Sequence, residues 1–256
     1  MPNKNKIAIV TGATAGIGRA IAIDFAKEGF HVAVCGTNAE RGDETVEIIK
    51  SNGGVATVHP GDVSSPIDVT TQMQEISNLK DSNGANKQIV ILVNNAGHCQ
   101  VKAILDITPE EIKRMFEVHV LGTYLYTQAV IPFMKKNSYG RIINITSSNG
   151  AGASEFTSHY QAAKAAQHSF TKSCALTFRK DGITINSVSP STVITKLFFE
   201  NDDNYKKYLG RSAADELARR EVASPKGLVT VEEVARVVSF LANDASGSIN
   251  GEVIGI

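Results

Sequence analysis

Ile7-Ala8-Ile9-Val10-Thr11-Gly12-Ala13-Thr14-Ala15-Gly16-Ile17-Gly18 is the stretch that decides the fold. Ile7 to Val10 is a short apolar, β-branched run and reads as a buried strand. Gly16 to Gly29 has helical spacing and reads as the first helix. Between them lies a glycine-rich turn. Such a turn by itself is often only a turn. Set directly between a first strand and a first helix, it lets backbone approach a ligand, and the helix amino terminus favours negative charge. Gly12, Thr14, Ala15, Gly16, Ile17 and Gly18 are therefore expected to cradle a pyrophosphate.

The same alternation continues outward. Strands are expected at His31–Cys35, Val55–His59, Ile89–Val93, Arg141–Thr146, Ile183–Val188 and Glu252–Ile254. Helices are expected at Ala39–Asn52, Pro66–Leu79, Pro109–Lys136, Ser158–Lys180 and Val231–Leu241. Near-continuous apolar strands separated by helices imply a parallel sheet covered on both faces. The regular alternation predicts an α/β, doubly wound Rossmann fold, one domain over residues 1–256. No internal repeat or low-complexity tract interrupts it. Lys80 to Lys87 reads as a polar loop. Residues 195–226, with Phe198, Phe199, Tyr205, Tyr208 and a charged helical stretch Ala213–Val222, follow the sixth strand at the carboxyl edge of the sheet. Ligands bind at that edge in open α/β sheets, so the segment reads as a substrate lid; a plain surface insertion is the other reading.

Composition excludes several classes. Lys and Arg total 26 and Asp and Glu total 26, a formal net charge of zero. General attraction to nucleic acid or an anionic membrane is not expected. Cys35, Cys99 and Cys174 are scattered, show no metal-ligand spacing, and read as reduced thiols of a cytoplasmic protein. The start, Met1 to Lys6, is charged and leads straight into the first strand, unlike a signal peptide, and no window suits a membrane span.

Further groups gather at the carboxyl edge. Asp62-Val63 follows the third strand; its carboxylate suits an adenine amino group or a helix cap. Asn94-Asn95-Ala96-Gly97 follows the fourth strand and suits either ligand contact or structural wedging. Tyr160 and Lys164 lie four apart, on one helix face. A phenol titrates near about 10, and a neighbouring ammonium favours the phenolate, so Tyr160 is a candidate proton donor or acceptor. Alone, that spacing also fits an exposed helix face.

Taken together, the glycine motif at Thr11 to Gly18, Asp62-Val63, Asn94 to Gly97, Ser147, Tyr160 with Lys164, and Asn186 with Pro190 to Thr195 resemble the short-chain dehydrogenase/reductase family, in family order and over nearly the whole chain. The resemblance implies a seven-stranded parallel sheet and a nicotinamide cofactor. It makes Ser147, thirteen residues before Tyr160, the substrate-orienting hydroxyl. Tyr160 becomes the general acid or base, and Lys164 holds the nicotinamide ribose. Pro190, Val193 and Thr195 join the expected cofactor contacts. It also implies a homodimer or homotetramer through the helices at Pro109–Lys136 and Ser158–Lys180.

Three departures stand out. His119 occupies the place of the family's catalytic Asn, and either keeps a proton relay or is a helix histidine bonded to backbone. Ser191 follows Pro190 where the family favours Gly. The chain ends at Ile256 without the usual Asp-Gly-Gly stretch. His98 reads as a loop histidine near the pocket. Gly36 closes the second strand without the acidic residue that binds a ribose 2′-hydroxyl, which favours NADP over NAD, with Thr37, Asn38 and Arg41 as phosphate contacts. The leading expectation is a carbonyl reductase or alcohol dehydrogenase with a small-molecule substrate. The other is a cofactor-binding relative with weak or no dehydrogenase activity, acting as a sensor or a partner-binding protein. The substrate pocket is expected from His98, Ser148, Asn149, Glu155, Phe156 and parts of Thr192 to Tyr208.

Overall fold

A computed structural model describes residues 3–223 and 227–256. Residues 224–226, the last of the expected lid, and Met1-Pro2 lie outside the described residues.

Seven strands form one parallel sheet in the order β3-β2-β1-β4-β5-β6-β7. They are β1 (Lys6–Thr11), β2 (His31–Gly36), β3 (Val55–Pro60), β4 (Gln88–Asn94), β5 (Gly140–Ile145), β6 (Ile183–Ser189) and β7 (Val253–Gly255). Val10 pairs with Val34 of β2 and Val93 of β4. Strands β1, β2, β5 and β6 are buried almost throughout, which is why their sequences read as unbroken apolar runs. Alternate residues face opposite cores. Ala8 and Val10 pack with α1 (Gly16–Lys27), α2 (Ala39–Ser51) and α10 (Val231–Ala242). Ile7 and Ile9 pack with α3 (Pro66–Ser77), α5 (Gly122–Asn137) and α6 (Ser158–Phe178). The strand order reverses between β1 and β4, and the crevice outside their carboxyl ends is the place where such sheets bind ligands.

One expected element is corrected. The helix read as continuous over Pro109–Lys136 is α4 (Pro109–Phe116), a π turn at Glu117–Leu121, and α5. In the π turn the Gly122 N–H reaches back to the Glu117 carbonyl. The wider turn loosens the normal ladder around His119. Its carbonyl accepts from the Thr123 hydroxyl at 2.7 Å and from Gln167 Nε2 at 2.9 Å. Single-turn π bulges of this kind recur at functional sites.

The expected lid comprises α7 (Lys196–Phe199), α8 (Asp202–Leu209) and α9 (Ala213–Ala223). A small apolar cluster of Val101, Tyr205 and Ala213, with Phe156 and Phe198 against it, ties these helices to the loop after β4. Asn201 reinforces the tie: its side chain accepts from Val101 N at 3.0 Å and donates to the Cys99 carbonyl at 2.9 Å. Among the described residues no helix is long and apolar enough to cross a membrane, and no group of three His, Cys, Asp or Glu is placed to hold a metal.

Candidate active site

The glycine turn is held from below by the loop after β4. Asn95 Nδ2 donates to the carbonyls of Thr11 at 2.9 Å and Gly12 at 3.2 Å. The Thr11 hydroxyl accepts from the N–H groups of Asn95 and Ala96, each at 3.0 Å. Gly12 sits at φ +63°, and a Cβ there would come within 2.9 Å of Ala96 Cα. Only glycine combines that dihedral with that close approach. The amino terminus of α1 carries no acidic residue in its first turn and opens on the cavity beside Gly16 and Ile17.

That cavity, of about 610 Å³, runs from the glycine turn to Tyr160 and Lys164. Thr14, Ala15, Thr37, Asp62, Val63, Asn95, Ala96, Gly97, His119 and Thr195 line it as well. Its size suits a cofactor-scale ligand. With the glycine turn and a helix amino terminus at one end and a phenol and an amine at the other, it admits a dinucleotide.

Five expected cofactor contacts do not line it: Pro190 and Val193 line a neighbouring cavity, and Gly18, Asn38 and Asn94 have other roles. Gly18 lies beneath the turn, where a Cβ would meet the Gly12 carbonyl oxygen at 2.3 Å. Asn38 caps α2, its side chain accepting from Arg41 N at 2.8 Å. Asn94 is buried and donates to Asn144 Oδ1 at 2.9 Å. Its role is in a polar ladder through the sheet: Asn144 donates to the Thr171 hydroxyl at 2.8 Å, which meets the Ser187 hydroxyl at 2.7 Å. This ladder ties α6 to β5 and β6, and so sets the height of Tyr160 and Lys164 over the sheet. Asp62 lines the cavity with both oxygens engaged, one by Ser64 and one by Arg114 Nη2 at 2.7 Å. Those bonds hold its carboxyl below the usual range, against the opposing effect of burial.

A second, smaller cavity of about 160 Å³ adjoins the first. Ser147, Pro190 and Val193 line only the smaller one, Lys164 only the larger, and Tyr160 lines both. Of the expected substrate-pocket residues, Ser148, Asn149, Thr192, Phe198 and Tyr205 line it. His98 faces the larger cavity, and Glu155 and Phe156 lie in neither.

Burial governs the ionisation of this site. Burial pushes the Tyr160 phenol above its ordinary value, the Cys99 thiol adds to the rise, and the Ser147 hydroxyl acts against it. The phenolate expected from the neighbouring ammonium is therefore not favoured, because Lys164 is turned elsewhere. Its Nζ lies 5.6 Å from the Tyr160 ring centroid and donates to the Ile145 carbonyl at 2.9 Å and to Gln167 Oε1 at 3.0 Å. Lys164 is only 3% exposed. Burial lowers it to about 7.

His119 meets the edge of the Tyr160 ring with centroids 5.5 Å apart. Its Nε2 lies 2.8 Å from the His98 carbonyl, and its Nδ1 has no partner among the described residues. Burial, then the Lys164 charge, keeps this imidazole neutral. The link to Lys164 runs through the His119 carbonyl and not its ring. Gln167 donates from Nε2 to that carbonyl and to the Thr123 hydroxyl at 2.8 Å, while its Oε1 receives the lysine. Sequence reasoning did not find Gln167. Its one signal is a polar residue three positions after Lys164, on the helix side that faces the core.

Comparison with known proteins agrees with this arrangement. A family profile described as short chain dehydrogenase matches residues 6–206. A D-beta-hydroxybutyrate dehydrogenase of Rhizobium meliloti is 35% identical over 96% of this chain and 95% of its own length. A 3-oxoacyl-[acyl-carrier-protein] reductase of Aquifex aeolicus is 34% identical over 98% of this chain and 95% of its own. The crystal structure of an actinorhodin polyketide ketoreductase with NADPH superposes with a TM-score of 0.92 at 27% identity, covering 98% of this chain and 95% of that one.

Proposed function

The chain belongs to the short-chain dehydrogenase/reductase family, and from that premise we propose that it is an NADP(H)-dependent oxidoreductase interconverting a carbonyl and a secondary alcohol. One observation carries the reading. Tyr160 stands where the two cavities join, with Ser147 on the smaller side and Lys164 on the larger. A carbonyl seated in the smaller cavity would accept a hydrogen bond from Ser147 and the proton of Tyr160. When bound, the nicotinamide supplies the hydride. The carbonyl carbon gains a C–H bond, its oxygen takes the phenolic proton, and an alcohol results. A phenol kept protonated by burial suits the reducing direction. Lys164 would bind the ribose. Helices α7–α9 would cover the substrate.

NADP is the preferred cofactor on two grounds. A side chain at Gly36 would meet Thr14 Cγ2 at 2.7 Å, so no carboxylate stands there to reject a 2′-phosphate. Thr37 and Arg41 line the same end of the cavity, and Arg41 makes no ion pair among the described residues. Relatives are named as dehydrogenases or reductases of different substrates: hydroxybutyrate, 3-oxoacyl-[acyl-carrier-protein] and L-rhamnose.

The test is a reductase assay over a panel of ketones with Tyr160→Phe alongside. The variant is expected to lose about 10²–10⁴-fold in kcat while still binding NADPH. Unchanged turnover would remove Tyr160 from the mechanism, and equal rates with NADH would remove the NADP preference. We further propose a cytoplasmic homodimer or homotetramer. Three unpaired cysteines support the compartment. Leu121 at the start of α5, Tyr124 on α5 and Leu176 on α6, all exposed, support the assembly. A monomeric mass in light scattering would refute it.

A further inference from the structure

The smaller cavity beside Tyr160 is lined by hydroxyls, amides, a thiol and apolar groups, and by one ionised side chain, Arg220 of α9. No carboxylate faces it among the described residues. Arg220 Nε donates to Glu216 Oε1 at 2.8 Å, and Nη1 donates to the Thr192 hydroxyl at 3.3 Å. A guanidinium has five N–H donors, so most of its terminal N–H groups remain unassigned among the described residues. Its carbon lies 5.3 Å from the Phe198 ring centroid, within reach of a cation–π contact.

Glu216 does not neutralise this charge. It is 1% exposed and receives Arg219 and Arg211 as well as Arg220. Three guanidinium groups on one carboxylate leave an excess of positive charge. Arg219 and Arg211 do not line the cavity, whereas Arg220 does. Glu216 therefore acts as the anchor that aims Arg220. The field of Arg220 reaches the cavity wall, where it opposes the effect of burial on Cys99 and Tyr205.

We infer that Arg220 is the anchor of an anion subsite, and that the substrate is a small ketone, or the matching hydroxy compound, bearing a carboxylate. This rests on the carbonyl-reductase reading and specifies its substrate class. With the carbonyl at Ser147 and Tyr160, the carboxylate would take the planar fork of Arg220, as planar bidentate recognition prefers. A cavity of about 160 Å³ suits a short-chain substrate.

The test uses matched pairs: acetoacetate, 2-oxobutanoate and 4-oxopentanoate against their methyl esters, with NADPH and the full chain. At least one acid is expected to exceed its ester by about tenfold or more in kcat/KM, mainly through KM. Arg220→Gln should abolish that preference, and Arg220→Lys should restore part of it. Arg219→Gln disturbs the same Glu216 cluster without facing the cavity, and should keep the preference. Calorimetry gives a readout apart from turnover: butanoate should bind the NADPH-loaded protein at least tenfold tighter than butanamide, and Arg220→Gln should remove the difference. Esters turned over as well as acids, or equal loss in the Arg219 and Arg220 variants, would overturn the anion subsite and leave the reductase reading standing. Butanoate binding without turnover of any ketone would keep the subsite and sink the reductase reading. No difference between butanoate and butanamide would overturn the subsite whatever the turnover.

Discussion

Lys164 combines near-complete burial, two neutral acceptors and no carboxylate, and Gln167 is one of those acceptors. An ammonium in such a place depends on each acceptor, because these two hydrogen bonds do most to offset its lost hydration. Its lowered value of about 7 means that its charge falls away as pH rises through neutrality. If Lys164 binds the cofactor ribose as an ammonium, the KM for NADPH should climb above about pH 7. Gln167 is then a positioning residue whose role has a distinctive sign. Gln167→Leu removes an acceptor, disfavours the ammonium further, and should move the rise in KM to lower pH. Gln167→Glu supplies a carboxylate and should move it higher. Profiles of KM against pH for the two variants check this. A merely structural role would weaken both without opposite displacements.

At the scale of elements, the glycine turn, α1 and the loop after β4 behave as one interlocked unit. Gly18 has an ordinary helical position, so the reason for its lack of a side chain is contact, not dihedral. A Cβ would press on the Gly12 carbonyl at 2.3 Å and on Asn95 Nδ2 at 2.5 Å, and both are held by the clamp beneath the turn. Gly18→Ala should therefore lift α1 and open the turn. The expected cost is roughly 1–3 kcal/mol of stability together with weaker NADPH binding. Gly255→Ala, where a Cβ meets nothing within 4 Å, should be near neutral. Thermal unfolding and NADPH titration on both variants separate contact from a general effect of added bulk. Such local arrangements were the readable part of the sequence. Unbroken apolar strands and glycine at a strand–helix junction follow from short-range rules, and so do Tyr160 and Lys164 one turn apart. The π turn was not readable, since its residues keep an apolar spacing that continues from α4 into α5. Gln167, Thr123 and the Asn144–Thr171–Ser187 ladder were also missed. Their partners on other elements lie 16 to 48 residues away in sequence and are assigned only when the sheet order is known. Asn94 and Asn38 were open to several readings for the same reason: an amide at a strand end looks alike whether it faces a ligand, a neighbouring strand or a helix terminus.

Across the whole molecule, the cavities and the His31 cluster sit at opposite ends of the sheet. The cavities lie at the carboxyl ends of the strands, whereas His31 begins β2 at the other end. His31 Nε2 meets the Thr57 hydroxyl at 3.1 Å, Thr57 meets His59 Nε2 at 2.9 Å, and His59 Nδ1 meets Glu75 at 2.9 Å. Burial, with Lys87 and His59 adding positive charge, lowers His31 to about 4. The unfolded chain takes up this proton near 6.5, but the folded protein resists it until about pH 4. Between those values the unfolded state binds more protons, so stability falls as pH falls. The loss should be on the order of 2 kcal/mol at pH 4, allowing for solvent near the ring. Denaturant melts at pH 7, 5.5 and 4 on the protein and on His31→Gln read it directly, as the difference between the two curves. The variant should lose less stability on acidification and keep its turnover at pH 7, because His31 touches neither cavity. Parallel curves would assign the acid sensitivity to other groups, of which neutral, buried His119 is the first to examine.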